Sequence, residues 1–170
     1  MDYEGDDWFE VYKGREKETG ANYDQITDHI FLGGYTAAEQ KPLLQEVLKV
    51  SAILTVAQDM DMNFPEDFEY KVVEILDSEE LELKQHFLEC IGFIDRVVNK
   101  EGKRVLVHCA AGVSRSASVV IAYMMHHHRI PLMEAFKMVR DKRPCINPNS
   151  GFQRQLVEFE ADLKKAGWIA

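Results

Sequence analysis

One stretch constrains this chain more than any other: Val105-Leu-Val-His-Cys-Ala-Ala-Gly-Val-Ser-Arg-Ser116. Val105, Leu106 and Val107 form a short aliphatic run of the kind found in strands covered on both faces. From Ser116 the chain reads Ala-Ser-Val-Val-Ile-Ala-Tyr-Met-Met, without Pro or Gly, which predicts a helix starting within a residue or two of Arg115. Only a tight turn fits between them, and it holds Cys109 and Arg115 with five residues in between. A strand-to-helix turn curls its backbone N–H groups inward, and the helix N-terminus adds partial positive charge. Such a cup suits a tetrahedral dianion. Arg115 adds a planar fork of donors that matches two phosphate oxygens, as a Lys point charge does not. Cys109 would lie at the bottom, where the same field favours its thiolate. A thiolate facing a bound phosphorus atom is a nucleophile already in place.

Written out, His108-Cys109-Ala110-Ala111-Gly112-Val113-Ser114-Arg115-Ser116 resembles the signature loop of the protein tyrosine phosphatase superfamily. Its Ser-Arg-Ser ending resembles the dual-specificity phosphatases, MAP-kinase-phosphatase-like members included. A bare Cys-x5-Arg arises by chance in many proteins. The preceding His, the internal Gly, the strand ahead and the helix behind make the pattern specific. The bland alternative is a buried Cys at a strand end and an Arg capping a helix. The resemblance implies Cys109 as nucleophile and Ala110, Ala111, Gly112, Val113, Ser114 and Arg115 as the phosphate-binding loop. It implies that Ser116 stabilises the departing thiolate. His108 reads as a buried residue that orients the loop backbone rather than as a general base. Ser114 and Ser116 are also acceptable N-cap residues.

Composition bounds the remaining choices. With 170 residues and 46% hydrophobic content the chain can bury a good core as one soluble domain. No run of 18 apolar residues occurs, so no membrane span is expected. The opening Met-Asp-Tyr-Glu-Gly-Asp-Asp is acidic, unlike a secretory signal. Three cysteines without metal spacing suit a reducing compartment, which points to cytoplasm or nucleus. A formal charge of −9 argues against general affinity for nucleic acid or anionic lipid.

In chain order, residues 1–24 read as an acidic N-terminal extension. Trp8, Phe9, Val11 and Tyr12 within it are the only hint of a partner-binding cluster. The catalytic domain is expected over 25–163, with 164–170 as a C-terminal tail. Gln25–Gly34 resembles the family's opening strand pair. Leu43, Leu44, Val47 and Leu48 have helical spacing, predicting a helix over Ala37–Val50 with Pro42 in its first turn. Strands are expected at Ala52–Ala57 and Tyr70–Leu76, separated by a polar loop. A helix across Leu81–Asn99 would bury Leu83, Phe87, Ile91, Ile94 and Val98 and end at Gly102. Strands alternating with helices predict an α/β fold: a mostly parallel central sheet flanked by helices, protein tyrosine phosphatase-like.

Asp77 is the second chemical residue. Cleaving a phosphate ester expels an alkoxide or phenoxide, and a carboxylic acid placed to protonate it eases that departure. Asp77 follows a strand and opens an acidic loop, where the resemblance places the general acid. A helix cap is its alternative role, and Glu74, Glu79 and Glu80 are lesser candidates for the acid. Arg140-Asp-Lys-Arg-Pro-Cys-Ile-Asn-Pro-Asn-Ser-Gly-Phe152 resembles a further family segment, in which Asn149 supports the signature loop by hydrogen bonding. Its Pro-Asn-Ser-Gly also reads as a turn into the last helix. His126, His127 and His128 fan out by about 100° per residue on a helix and cannot converge on one ion. Cys90 reads as inert core, and Cys145 as a weak candidate redox partner for Cys109.

The resulting expectation is a cysteine-dependent phosphatase acting on phosphotyrosine and phosphoserine/threonine, without metal or organic cofactor. Its partner would be a phosphoprotein, with a MAP kinase as the family-based candidate and the oligomeric state open. The same chemistry on phosphoinositides or RNA 5′-phosphates is one alternative. Apolar Ala110, Ala111 and Val113 disfavour it, since such anionic substrates call for Lys or Arg in the loop. A non-catalytic phosphoprotein-binding module is another, disfavoured by intact Cys109, Arg115 and Asp77.

Overall fold

Among the described residues, five strands form one sheet, in which the fifth strand of the chain lies between the second and the third, with the first and the fourth at the edges. The structure, a computed structural model, describes residues 22–170, so the cluster at Trp8–Tyr12 lies outside the described residues. β1 (Tyr23–Gln25) pairs antiparallel with β2 (Ile30–Gly33). Thr27 closes the turn between them, its Oγ1 accepting from the N–H groups of His29 and Ile30. β2, β3 (Ala52–Val56), β4 (Glu69–Val73) and β5 (Val105–His108) run parallel. The sheet is thus mostly parallel, as expected, with one antiparallel edge strand. It begins at Tyr23 rather than at Gln25.

β5 is the central strand, and all four of its residues are buried. Side chains alternate between the faces, as the two-residue period requires. Leu32, Leu54, Val56, Val105 and Val107 point into one core, while Phe31, Ile53 and Leu106 point into the other. The smaller core is closed by α1 (Tyr35–Ala38) and α2 (Leu43–Leu48). The larger is covered by α3 (Phe87–Asp95), α4 (Arg115–His128), α5 (Leu132–Lys142) and α6 (Ser150–Lys165). Every residue of α4 from Arg115 to Met125 is buried. A helix that is apolar all round belongs inside a protein, and α4 is packed among the sheet, α3, α5 and α6.

Three expected elements change shape. The helix predicted over Ala37–Val50 is two short ones, because a proline ring at position 42 clashes with the carbonyl four residues earlier. The second is wound wider than an α-helix and ends at Lys49 with φ 55°. The strand predicted over Tyr70–Leu76 stops at Val73, and the Ile75 carbonyl instead accepts from Gln58 N–H and the Arg115 guanidinium. The helix over Leu81–Asn99 starts later, as a 3-10 turn at Lys84–His86, and finishes as a wide turn at Arg96–Lys100. Gly102 follows with φ 66°, the left-handed conformation of a helix-ending glycine. The stretch 164–170, expected as a tail, is docked: Ile169 is buried and Trp168 Nε1 donates to the His126 carbonyl at 2.7 Å.

The register fixes where chemistry can happen. Gly33 and Thr55 both sit beside His108, so β2, β3 and β5 end at one pole. The turn after β5 therefore opens outside the carboxyl ends of the parallel strands, where open α/β sheets place their ligands.

Phe87 anchors α3 to α6, meeting the Phe159 ring edge-to-face at 5.2 Å while itself fully buried. Phe87→Ala is expected to lower unfolding free energy by about 3–5 kcal/mol. Leu88→Ala, next to it and 64% exposed, is expected to stay within about 0.5 kcal/mol of wild type. Denaturant unfolding of both variants measures this difference.

Candidate active site

Between β5 and α4 the backbone folds so that its carbonyls are all engaged on the outside of the turn. The Cys109 carbonyl meets His108 Nδ1 at 3.2 Å, and that of Ala110 accepts from Tyr35 N–H at 3.0 Å. Ala111 and Gly112 carbonyls accept from Arg143, at 3.0 Å from Nη2 and 2.8 Å from Nε. Val113 accepts from Asn147 N–H at 2.8 Å, and Ser114 from Ser118 N–H at 2.9 Å and Ser118 Oγ at 2.7 Å. The N–H groups of Ala110, Ala111, Val113 and Ser114, by contrast, take no acceptor among the described residues. Carbonyls tied outward leave amides turned toward the concave side, and successive free amides make an anion-binding nest.

The reactive groups lie inside that nest. Cys109 is 2% exposed, and Sγ receives the Gly112 N–H at 3.3 Å and lies 3.0 Å from Ser116 Oγ. Arg115 is nearly buried at the first position of α4. Its Nη1 donates to the Ile75 carbonyl at 2.9 Å, and its buried Nε has no partner among the described residues. A buried guanidinium N–H is costly to leave unpaired. Such a donor is open to an anion's oxygen.

Two close approaches hold the turn. Gly112 has φ 69°, and a Cβ there would lie 2.6 Å from the Gly33 carbonyl oxygen. No side chain fits. Gly34, just past β2, lies so close to Ala110 that a Cβ would fall 2.6 Å from its carbonyl oxygen.

His108 is a buried, neutral brace. Burial pushes its pKa down to about 4, and the nearby Arg115 charge adds to the effect. The Cys109 carbonyl can only accept, so Nδ1 carries the proton; Nε2 then accepts from Thr55 Oγ1 at 2.8 Å. The ring thus joins β5 to β3 and to the loop backbone.

Asp77 reaches the rim from another direction. It is exposed, two residues past the Ile75 carbonyl that Arg115 holds. Asn149 Nδ2 donates to its Oδ1 at 2.9 Å, while Asn149 N–H donates to Ser114 Oγ at 2.9 Å. The expected loop support by Asn149 therefore runs through its backbone, and its side chain serves Asp77 and α6. Glu79 pairs with Ser150 Oγ. Of the three histidines, His126 stacks on Trp168, while His127 stacks on Tyr123 and meets the His128 ring edge-to-face at 4.8 Å. Among the described residues no group of His, Cys, Asp and Glu is arranged to hold a metal ion. Cys90 is fully buried, and burial pushes its thiol up to about 12.

Residues 30–162 match the family model for the dual specificity phosphatase catalytic domain. The chain belongs to the dual specificity phosphatases. It is 42% identical over 139 residues to dual specificity protein phosphatase 1 of Arabidopsis thaliana, covering 82% of this chain and 69% of that one. Human dual specificity protein phosphatase 4 is 37% identical, but this chain spans only 35% of its length. Among solved structures, the human tyrosine phosphatase-like serine/threonine/tyrosine-interacting protein superposes with a TM-score of 0.79 at 36% identity, over 84% of this chain and 97% of that one. A mouse protein solved as a complex with zinc tungstate superposes with a TM-score of 0.77 at 28% identity, over 92% and 97%.

Within this phosphatase fold, Arg143, Asn22 and Thr55 hold supporting roles that their sequence context does not single out. Arg143 is 2% exposed, holds two loop carbonyls, and pairs with Asp24 at 3.0 Å and Asn22 Oδ1 at 2.8 Å. Nothing in the run Arg140-Asp-Lys-Arg143 distinguishes it from solvated neighbours except the Pro that follows. Asn22 and Thr55, its counterpart brace on the other side, were equally silent.

His108 gives the phosphatase a pH signature. Its folded pKa, about 4, lies below the ordinary 6.5, so the unfolded chain binds the extra proton first. The His108 contribution is complete above pH 6.5 and is lost as pH falls toward 4. A shift of this size corresponds to on the order of 3 kcal/mol. His108→Gln, which does not titrate, is expected to flatten that part of the stability profile, measured by thermal melts between pH 4 and 7.

Proposed function

We propose that Cys109, Arg115, Ser116 and Asp77 carry out hydrolysis of phosphotyrosine and phosphoserine/threonine in proteins through a cysteinyl-phosphate intermediate. The phosphoryl oxygens take the inward amides of Ala110, Ala111, Val113 and Ser114 and the fork of Arg115. Charge that builds on those oxygens in the transition state meets donors already in position. The Sγ thiolate attacks phosphorus; the S–P bond forms as the P–O bond to the side chain breaks, and Asp77 gives its proton to the departing oxygen. Water then attacks the phosphocysteine and loses a proton to Asp77. The S–P bond breaks, phosphate leaves, and Ser116 Oγ–H donates to the sulfur that regains its charge.

One observation carries this reading: the turn whose carbonyls are all tied outward around a sulfur with two donors. A tetrahedral dianion is the ligand such a nest fits, and tungstate, present in the complex of the mouse relative, is one. Apolar Ala110, Ala111 and Val113 favour phosphoprotein over phosphoinositide or RNA 5′-phosphate, whose further charges find no cation inside the loop. The likeness to a phosphatase-like interacting protein raises a binding-only reading. The presence here of nucleophile, cation and acid together favours turnover. MAP kinases are the substrate candidates that the family resemblance supplies, with a role in signalling. Three unpaired cysteines, one of them the nucleophile, favour the cytoplasm or nucleus.

Cys109→Ser is expected to abolish turnover of a phosphotyrosine peptide while keeping affinity for tungstate, because the nest remains and the thiolate is gone. Asp77→Ala is expected to lower kcat by about 10²-fold on that peptide. It should lower kcat far less on an activated aryl phosphate whose leaving group needs no proton. Steady-state kinetics and tungstate titration decide; measurable turnover by Cys109→Ser overturns the covalent route. The two variants, used as substrate traps in lysate, then identify the phosphoprotein.

A further inference from the structure

We infer that Asn149 is the positioning residue of the acid: its amide sets which oxygen of Asp77 carries the transferable proton, and its backbone fixes that carboxyl to the rim of the cup. This rests on Asp77 acting as the general acid. Asn149 is the N-cap of α6, and its Oδ1 accepts from Phe152 N–H at 2.9 Å. An N–H can only donate, so the side-chain oxygen must face Phe152 and the NH2 group must face away. The Asn orientation is therefore set by chemistry. Nδ2 then donates to Asp77 Oδ1 at 2.9 Å. An oxygen that accepts this donor is not the one that bears the acidic proton, since O–H would oppose N–H. In the acid form the proton sits on Oδ2. Among the described residues no other group bonds the Asp77 carboxyl.

The same residue reaches the other half of the site. Asn149 N–H donates to Ser114 Oγ, one residue before Arg115. A single residue thus ties α6, the acid and the nucleophile turn together. The remainder of the acid loop is anchored independently. Ser150 Oγ holds Glu79, and Gln155 Oε1 accepts from Leu83 N–H at 2.7 Å and Lys84 N–H at 2.9 Å. Gln155 Nε2 donates to the Leu81 carbonyl at 2.8 Å. Gly151 lies so close that a Cβ would fall 2.0 Å from the Glu79 carbonyl oxygen. Losing the Asn149 amide therefore frees the carboxyl without freeing the loop. An unheld carboxyl on an exposed loop can rotate its proton away from the departing oxygen, and misplacement of this kind is costly in rate.

Asn149→Ser and Asn149→Asp separate this role from plain capping, because Ser and Asp are both good N-caps. Ser is too short to reach Asp77, and Asp puts an acceptor where the donor was. On a phosphotyrosine peptide both variants are expected to lower kcat by about tenfold or more with KM little changed. On an activated aryl phosphate the loss should stay under about threefold. In an Asp77→Ala background, Asn149→Ser should add nothing, since residues that act as a unit are not additive. Equal losses on both substrates, wild-type kcat on the peptide, or a further loss in the Asp77→Ala background each overturn the proposal. If Asp77→Ala itself shows no leaving-group dependence, the acid assignment fails first and this inference with it. Melting curves accompany the kinetics, and Asn149→Asp, the isosteric change, serves if Asn149→Ser folds poorly.

Discussion

Everything at this site depends on Arg143 holding two carbonyls of the turn after β5. A peptide turn has no intrinsic reason to point its amides one way; something must compete for the oxygens. Arg143 Nε and Nη2 do this for Gly112 and Ala111 from a buried position. Backbone N–H groups from Tyr35, Asn147 and Ser118 hold Ala110, Val113 and Ser114. Charge-assisted hydrogen bonds are the stronger kind, and the guanidinium spans adjacent carbonyls as no single amide can. Remove it, and the middle of the turn is free to rotate its oxygens inward, against the anion. Its own charge is balanced by Asp24 on β1, so the first strand of the sheet is part of the machinery of the loop.

The rest of the fold supplies stiffness to that arrangement. β5 sits between β2 and β3, and α4 is buried along most of its length, so both ends of the turn are clamped. Gly112 lies against Gly33, leaving the turn no room to sag toward β2. His108, neutral and fully engaged, adds a strut to β3 without adding charge beneath the nest. A rigid nest needs no reorganisation when charge develops on the phosphoryl oxygens, which is where such sites derive most of their rate.

The central features were legible because each is local. Val105–Val107 could only be a buried strand, the run from Ser116 only a helix, and Cys109 and Arg115 were confined to the turn between them. The parallel order of strands followed from their alternation with helices. Illegible were residues whose meaning depends on a distant partner. Arg143 looks like its neighbours Arg140 and Lys142 until the fold brings Gly112 and Asp24 to it. Asn149 was visible, but not that its side chain faces Asp77 while its backbone faces Ser114. Element ends depart from the periodic pattern where one residue overrides it. Pro42 splits a helix, and β4 stops at Val73, with the Ile75 carbonyl shared between Gln58 N–H and Arg115.

The two buried arginines divide one task by what neutralises them. Arg143 is paired with a carboxylate, and three of its nitrogens are bonded within the protein. Arg115 has no carboxylate partner among the described residues, and only Nη1 is committed, to a carbonyl. In a chain of net charge −9, a phosphoprotein dianion is repelled at long range. At the cup, the cation left without a counter-charge is the one at the first position of α4, where the helix N-terminus adds its own partial positive charge. A bound dianion would neutralise Arg115 and satisfy its buried Nε together, two gains that no neutral side chain offers. Selectivity for phosphate thus comes from an unpaid cation and a nest of amides held within an otherwise acidic protein.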